Sequence, residues 1–260
     1  MGGSIGTLKD GAIGWIVFEH QERRNAVTVE MWRRIPAAVR EMSDDPAIRV
    51  LVLRGAGEVA FVSGADISEF EQSRTGESLA EYEAVSERAF AAVESCQKPV
   101  LAMIHGYCIG GGLAIALTAD VRYAADDATF SIPAGRLGVG YPVSGVRTLL
   151  QIVGPASAKE IFFTARRFDA QEALARAVVS EVKPKAALEG FVRETAGRIA
   201  ENAPLTLRSF KLTVRELGKP SEVRDDDALS ASVDACFASD DYREGVSAFL
   251  GKRKPEFRGR

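Results

Sequence analysis

Between residues 100 and 117 the chain passes from an unbroken apolar run, Val100-Leu101-Ala102-Met103-Ile104, through His105-Gly106-Tyr107-Cys108-Ile109-Gly110-Gly111-Gly112, into an apolar segment beginning at Leu113. A strand with no polar alternation is covered on both faces, which calls for a sheet with packing layers on each side. The same texture recurs at residues 13–18, 48–53, 121–124 and 129–132, where β-like runs alternate with helical patterns. An α/β fold with a largely buried sheet follows up to about Pro133, and beyond Gly145 nearly everything reads as helix. Tyr82, Val85, Ala89, Phe90 and Val93 recur at helical spacing and feed the strand at 100–104. Asp169 with Glu172 has the spacing of an N-terminal cap and its N3 partner, and Pro155 stands where a helix would start. Met31, Ile35, Ala38, Val39 and Met42 also form a helical stripe, but Pro36 falls inside it. Proline there removes a hydrogen bond and clashes with the preceding turn, so a kink or a later start is expected.

The 260 residues are 46% hydrophobic and 27% charged, which excludes disorder and small disulfide scaffolds. A net charge of -3 provides no footprint for a phosphate backbone, so nucleic acid is not an expected partner. Apolar stretches such as 100–104 and 113–119 fall short of the roughly 18 residues that span a bilayer, and no basic-then-apolar signal is expected from the start Met1-Gly2-Gly3-Ser4. Membrane is therefore not expected either, and the location expected is the cytoplasm. Cys96, Cys108 and Cys236 are odd in number and lack Cys-x-x-Cys spacing, and the only histidines are His20 and His105. Free thiols are expected, with no metal site and no histidine triad.

Gly55-Ala56-Gly57-Glu58-Val59-Ala60 matches the glycine fingerprint of dinucleotide sites literally. The fingerprint needs a helix starting inside it, whereas Phe61-Val62-Ser63-Gly64 reads as extended, so a simple glycine turn is expected. The glycines at 110–112 have two readings. Amides at the start of the following helix would seat an oxyanion, with a second donor from the Gly64-Ala65 turn. Alternatively the glycines only let helix and sheet touch closely.

Gly64-Ala65-Asp66-Ile67, Gly106-Tyr107 with Gly110-Gly111-Gly112, Ala119-Asp120, Phe130-Ser131-Ile132-Pro133 with Leu137-Gly138, and Phe249-Leu250-Gly251-Lys252-Arg253-Lys254-Pro255 resemble, in order and spacing, the crotonase superfamily of enoyl-CoA hydratases and isomerases. The resemblance covers nearly the whole chain. It implies an α/β spiral of ββα units (residues 1–190) followed by a C-terminal helical trimerisation region (191–260). It also implies an acyl-CoA thioester as ligand, a lyase-type activity, and a homo-trimer or hexamer. CoA is then the carrier portion of the substrate, with no permanently bound cofactor. By motif the oxyanion donors map onto the amides of Ala65 and Gly111. CoA contacts map onto Arg24, Ala26, Ser63, Asp66 and Ile67, and onto Phe249 and Lys252 in the tail.

The two glutamates that hydratases of the family use fall at Ala114 and Ala134, neither of which can carry a proton. Ordinary hydration is therefore not expected, and the reaction implied is one that stabilises a thioester enolate. Loss of CO2 from a malonyl-type thioester would need no base. Leu137-Gly138-Val139-Gly140-Tyr141-Pro142 is similar to decarboxylases of the family, in which a tyrosine matching Tyr141 belongs to the site, although those enzymes have a histidine where this chain has Ala65. Arg136 is a candidate for binding a substrate carboxylate, and Ser131 and Glu69 are further polar candidates, each set against an ordinary surface or packing role. A non-catalytic acyl-CoA binder is the remaining alternative. Leu188, Phe191, Val192, Ile199, Leu205, Leu207, Phe210 and Leu212 are expected to include contacts with another subunit.

Overall fold

The computed structural model describes residues 2–69 and 77–260. Four turns of a coil organise the core. Strands β1 (Ser4–Asp10) and β2 (Ile13–Glu19) form an antiparallel hairpin, and helix α1 (Val29–Asp44) follows. Then β3 (Val50–Gly55), β4 (Ala60–Val62) and α2 (Glu77–Glu94) make one strand–strand–helix unit. The next is β5 (Val100–Ile104), β6 (Tyr107–Ile109) and α3 (Gly111–Leu117), and the third is β7 (Val121–Ala125), β8 (Thr129–Ser131) and α4 (Val143–Thr164). In every unit the first strand joins one sheet and the second strand the other. The larger sheet has the order β1-β2-β3-β5-β7-β10, with β10 at Glu181–Lys183, and the smaller has the order β4-β6-β8-β9, with β9 at Phe168–Asp169. The isolated parallel bridge between Val27 and Ala65 gives the hairpin and α1 a rudimentary second strand, so they form an initial coil.

Strand periodicity sorts the core onto two faces. Leu51, Leu53, Val100, Ala102 and Ile104 point into the main core with α1 and α2. Val50, Val52, Leu101 and Met103 point the other way, beside Trp15 of β2, where helix α6 (Lys185–Ala200) covers them. This is the two-sided burial that the unalternated runs predict. The expected division after residue 190 falls inside α6, whose Leu188 and Val192 are buried on the sheet. Phe191 stands edge-on to Tyr123 at 5.1 Å. These three residues of the expected interface set are therefore occupied within the chain.

Pro36 neither delays nor ends α1. The helix starts at Val29, with the Thr28 hydroxyl accepting the Met31 N–H, and continues to Asp44. Met31, Trp32, Ile35, Ala38, Val39 and Met42 are all buried on one face, and that burial outweighs the missing hydrogen bond. Helix α5 (Ala170–Ala175) has the expected cap, the Asp169 carboxylate accepting the Glu172 N–H at 2.8 Å. Helix α4 is broken at Gly154 (φ 72°, ψ 168°) immediately before Pro155, so its second half starts where the proline suggests. At the C-terminal end α7 (Pro204–Leu217), α8 (Asp226–Ala238) and α9 (Asp240–Leu250) complete the chain, and α8 buries no residue at all. No helix among the described residues is long and apolar enough to cross a membrane.

Candidate active site

Two loops meet where successive coils adjoin. After β2 the chain turns through Arg24 and Asn25, both left-handed (φ 53° and 56°). Asn25 is buried and clips this turn to the next coil. Its Oδ1 accepts the His20 N–H at 3.0 Å, and its Nδ2 donates to the carbonyls of Ala56 at 3.0 Å and Ala60 at 2.8 Å. The Ser63 amide donates to the Arg24 carbonyl and the Ser63 hydroxyl to the Arg23 carbonyl, each at 3.1 Å. Further along, Val27 N–H donates to Gly64 and Asp66 N–H donates to Val27, at 2.8 and 3.0 Å. Because Gly64 and Asp66 make the bonds to Val27, the Ala65 amide lies on the opposite side of its segment.

The fingerprint at 55–60 is a turn between β3 and β4, with no helix inside it, so the dinucleotide reading has no structural basis. The 105–112 stretch differs from the direct strand-to-helix passage that the sequence suggests. β5 ends at Ile104, and the chain then forms β6 in the smaller sheet before α3 begins. The glycines differ in what surrounds them. Gly112 serves close packing, since a Cβ there would stand 2.1 Å from the Val62 carbonyl oxygen. Gly111 is the first residue of α3, where a helix amide has no partner inside the helix. A Cβ on Gly111 would stand 3.8 Å from the Ala65 amide nitrogen. The two segments that the sequence singles out are therefore side by side, and neither amide has a backbone acceptor among the described residues.

The remaining candidates are placed as follows. Ala26 is buried, and Ile67 is 63% exposed at the lip of the loop pair. Asp66 is buried with its carboxylate accepting the Ser68 amide and hydroxyl at 3.0 and 2.8 Å, which fixes the turn Ile67–Glu69. Burial pushes this carboxyl up, but the Ser68 hydrogen bonds, with Arg23 and His20 nearby, hold it below the usual carboxylate range. Glu69 accepts the Val29 N–H at 2.9 Å and so anchors the start of α1. Ser131 donates to the Ala165 carbonyl, and its own carbonyl accepts the Gly110 N–H. Tyr141 packs edge-on against Phe162 at 5.5 Å, and burial pushes its hydroxyl up to about 12. Arg136 is exposed on the turn Pro133–Arg136, in which Ala134 is buried.

In the tail, Phe249 is 84% exposed and Lys252 adopts φ 50°. Arg253 pairs with Glu244 and Lys254 with Glu201, so Lys252 is the one member of the basic cluster with no ion-pair partner among the described residues. Sequence reasoning missed Arg167, whose guanidinium lies over the Tyr107 ring at 5.4 Å, with Arg24 over the same ring at 4.9 Å. It also missed Trp32, which backs Gly111 and meets Phe90 edge-on at 5.3 Å. Trp32 lies three residues before Ile35 on the buried stripe of α1, and that spacing was the signal available.

The sequence pattern of the Enoyl-CoA hydratase/isomerase family matches residues 9–260. The chain belongs to that family. It is 34% identical over 252 residues to the crotonyl-CoA hydratase of Syntrophomonas wolfei, covering 96% of this chain and 95% of that one. It is 31% identical over 247 residues to the methylmalonyl-CoA decarboxylase of Escherichia coli, covering 94% of each. Among solved structures, an enoyl-CoA hydratase/carnithine racemase from Magnetospirillum magneticum superposes with a TM-score of 0.92 at 36% identity, covering 98% of this chain and 96% of that one. The crotonase-type coil of strand pairs and helices is thus this chain's fold, as the order of its motifs implies.

Proposed function

We propose that this chain is an acyl-CoA-processing enzyme that holds a thioester carbonyl, as its enolate, on the amides of Ala65 and Gly111. The adjacency of those two residues carries the reading: their amides have no other acceptor among the described residues. A preorganised backbone donor of this kind typically contributes about 2.7–4 kcal/mol to a developing oxyanion. Arg24, Ala26, Ser63, Asp66 and Ile67, on the paired loops beside it, would take the CoA portion, with Phe249 and Lys252 contributed by this or a neighbouring tail. CoA enters as part of the substrate, with no permanently bound cofactor in this reading.

Ala114 and Ala134 carry no proton, and general acid–base groups are worth about 10²–10⁴-fold each, so hydration is not the favoured reaction. Decarboxylation of a malonyl-type thioester is a second reading, favoured by Tyr141 beside Phe162 in the loop next to Ala134. Arg136 is exposed on its turn, the ordinary situation of a surface arginine, which weighs against it. The assembly we propose is a trimer or hexamer built through the C-terminal helices, in the cytoplasm. An open apolar groove of about 710 Å³ between α7, α8 and α9, lined by Phe210, Phe237 and Phe249, supports it.

The test is calorimetric titration with a CoA thioester, followed by mass spectrometry of that thioester after incubation in D2O. Binding with deuterium uptake at the acyl α-carbon is expected, and Gly111→Pro should abolish uptake. Binding without uptake would favour the non-catalytic alternative.

A further inference from the structure

A small, partly open cavity of about 60 Å³ lies between α2, α3 and α4. Its wall includes Glu87, Phe90, Ala114, Ser144 and Gly145. It adjoins the candidate oxyanion site in two ways. Ala114 follows Gly111 by one helical turn, which puts the two on one face about 5–6 Å apart. Phe90 meets Trp32, and Trp32 backs Gly111. Behind Gly145 stands Tyr141, whose Cε1 would lie 2.8 Å from a Cβ on Gly145. The cavity is thus a near neighbour of the two amides on which a thioester would sit.

Into the same cavity α2 brings two carboxylates, Glu87 and the exposed Glu94, of which Glu87 is the more buried. Glu87 is half-buried, and Oγ of Ser144, near the start of α4, donates to its Oε1. That bond fixes the carboxylate between two helices and leaves Oε2 for another partner. A glutamate at 114 would enter this space, whereas the methyl group of Ala114 leaves it open to Glu87. We propose that Glu87 is the proton-transferring carboxylate of this site, with Ser144 as its positioning residue, an inference that rests on the enolate reading above. Glu87 removes a proton from the acyl α-carbon. The C–H electron pair becomes part of a new C=C bond, and the carbonyl π pair moves onto the oxygen held by Ala65 and Gly111. The protonated Glu87 returns the proton to the α-carbon, or to the γ-carbon when a β,γ double bond is present, which shifts that bond into conjugation. No oxidant, reductant or second substrate is consumed.

The probe is 3-butenoyl-CoA in D2O, followed by mass spectrometry and by ultraviolet absorbance of the conjugated product. The unaltered protein is expected to incorporate deuterium and form crotonyl-CoA. Glu87→Gln should slow both by about 10²–10⁴-fold while thioester affinity stays within about three-fold. Ser144→Ala should slow them about ten-fold, and Ser144→Thr should restore most of the rate. Should the glutamine variant fail to fold by circular dichroism, Glu87→Asp, with its carboxylate withdrawn by one methylene, should show an intermediate rate. Exchange at the unaltered rate in Glu87→Gln or Glu87→Asp overturns the assignment of Glu87 and leaves the enolate reading intact. Thioester binding with no exchange in the unaltered protein overturns both.

Discussion

Cζ2 of Trp32 lies 3.2 Å from the point where a Cβ on Gly111 would stand. The indole therefore sets how far the first residue of α3 can move, and through it the position of the amide beside Ala65. At this separation an added methyl fits only if the ring yields by a few tenths of an ångström. Gly111→Ala should destabilise the protein by about 1–3 kcal/mol in urea unfolding, the usual range for overpacking. In a Trp32→Leu background the same substitution should be less harmful, with a coupling of about 1 kcal/mol or more across the double-mutant cycle. Additive effects would mean that the ring does not fix Gly111.

Asn25 connects two coils through three hydrogen bonds to main-chain groups. Asn25→Ala removes all its partners at once and places alanine at a left-handed position. Leaving a buried polar group unsatisfied costs about 1–3 kcal/mol, so a total loss above about 3 kcal/mol is expected by chemical denaturation. Loss of thioester affinity should accompany it, because the same turn positions Arg24 and Ser63.

Acid stability should depend on Asp66. Its carboxyl is held below the usual range in the folded chain, so the charged form contributes stability at pH values above the ordinary carboxylate value. That contribution is lost as pH falls through the ordinary value toward the lower folded one. Asp66→Asn should be less stable than the unaltered chain at pH 7, and the gap should close between about pH 5 and pH 2. A constant gap across that range in thermal melts would show that the carboxylate's charge is not what the turn uses.

Crotonyl-CoA hydration should be negligible, far below the roughly 1 per second at the lower end of typical turnover. Ala114→Glu combined with Ala134→Glu should raise it measurably. Glu87→Gln in that background should raise it further, because Glu87 and a carboxylate at 114 would share one small cavity and repel each other. A turnover typical of enzymes in the unaltered chain would show that another residue performs both proton transfers of hydration.

Subunit contacts should depend on the exposed end of α9. Phe249 and Leu250 are 84% and 76% exposed beside the apolar groove. Replacing both with aspartate should shift the light-scattering mass toward the monomer at micromolar concentration without lowering the helical signal. A stable monomer in the unaltered protein would remove the assembly altogether.

The alternation of buried strands with helices was legible because the side chains of β3 and β5 are apolar on both faces. The second strand of each coil was harder to read. β4, β6 and β8 are three residues each, too short for periodicity, and β6 lies within a stretch whose glycines dominate the reading. Pro36 does not delay α1 as one of its two readings expects, because the penalty it carries is local, whereas the burial that overrides it comes from residues spread across the whole face of the helix. Ala65 and Gly111 entered the proposal only through motif order, since an amide leaves no trace in side-chain chemistry. Glu87 went unnoticed because a lone carboxylate in an amphipathic helix usually faces water, and only the neighbouring helix shows otherwise. Its one signal was its place three residues before Phe90, at the border of the apolar stripe.

The two donors of the proposed oxyanion site come from main chain on consecutive coils, and the spacing between those coils is set by the strand ladders on either side. Such a site is inherited with the fold and not with any particular side chain. Residues 114 and 134 can change to alanine, and a carboxylate can enter from another helix, without disturbing the amides. A scaffold of this kind separates what a substrate must share, a carbonyl able to accept negative charge, from what distinguishes one reaction from another. Its chemistry can then be altered one rim position at a time.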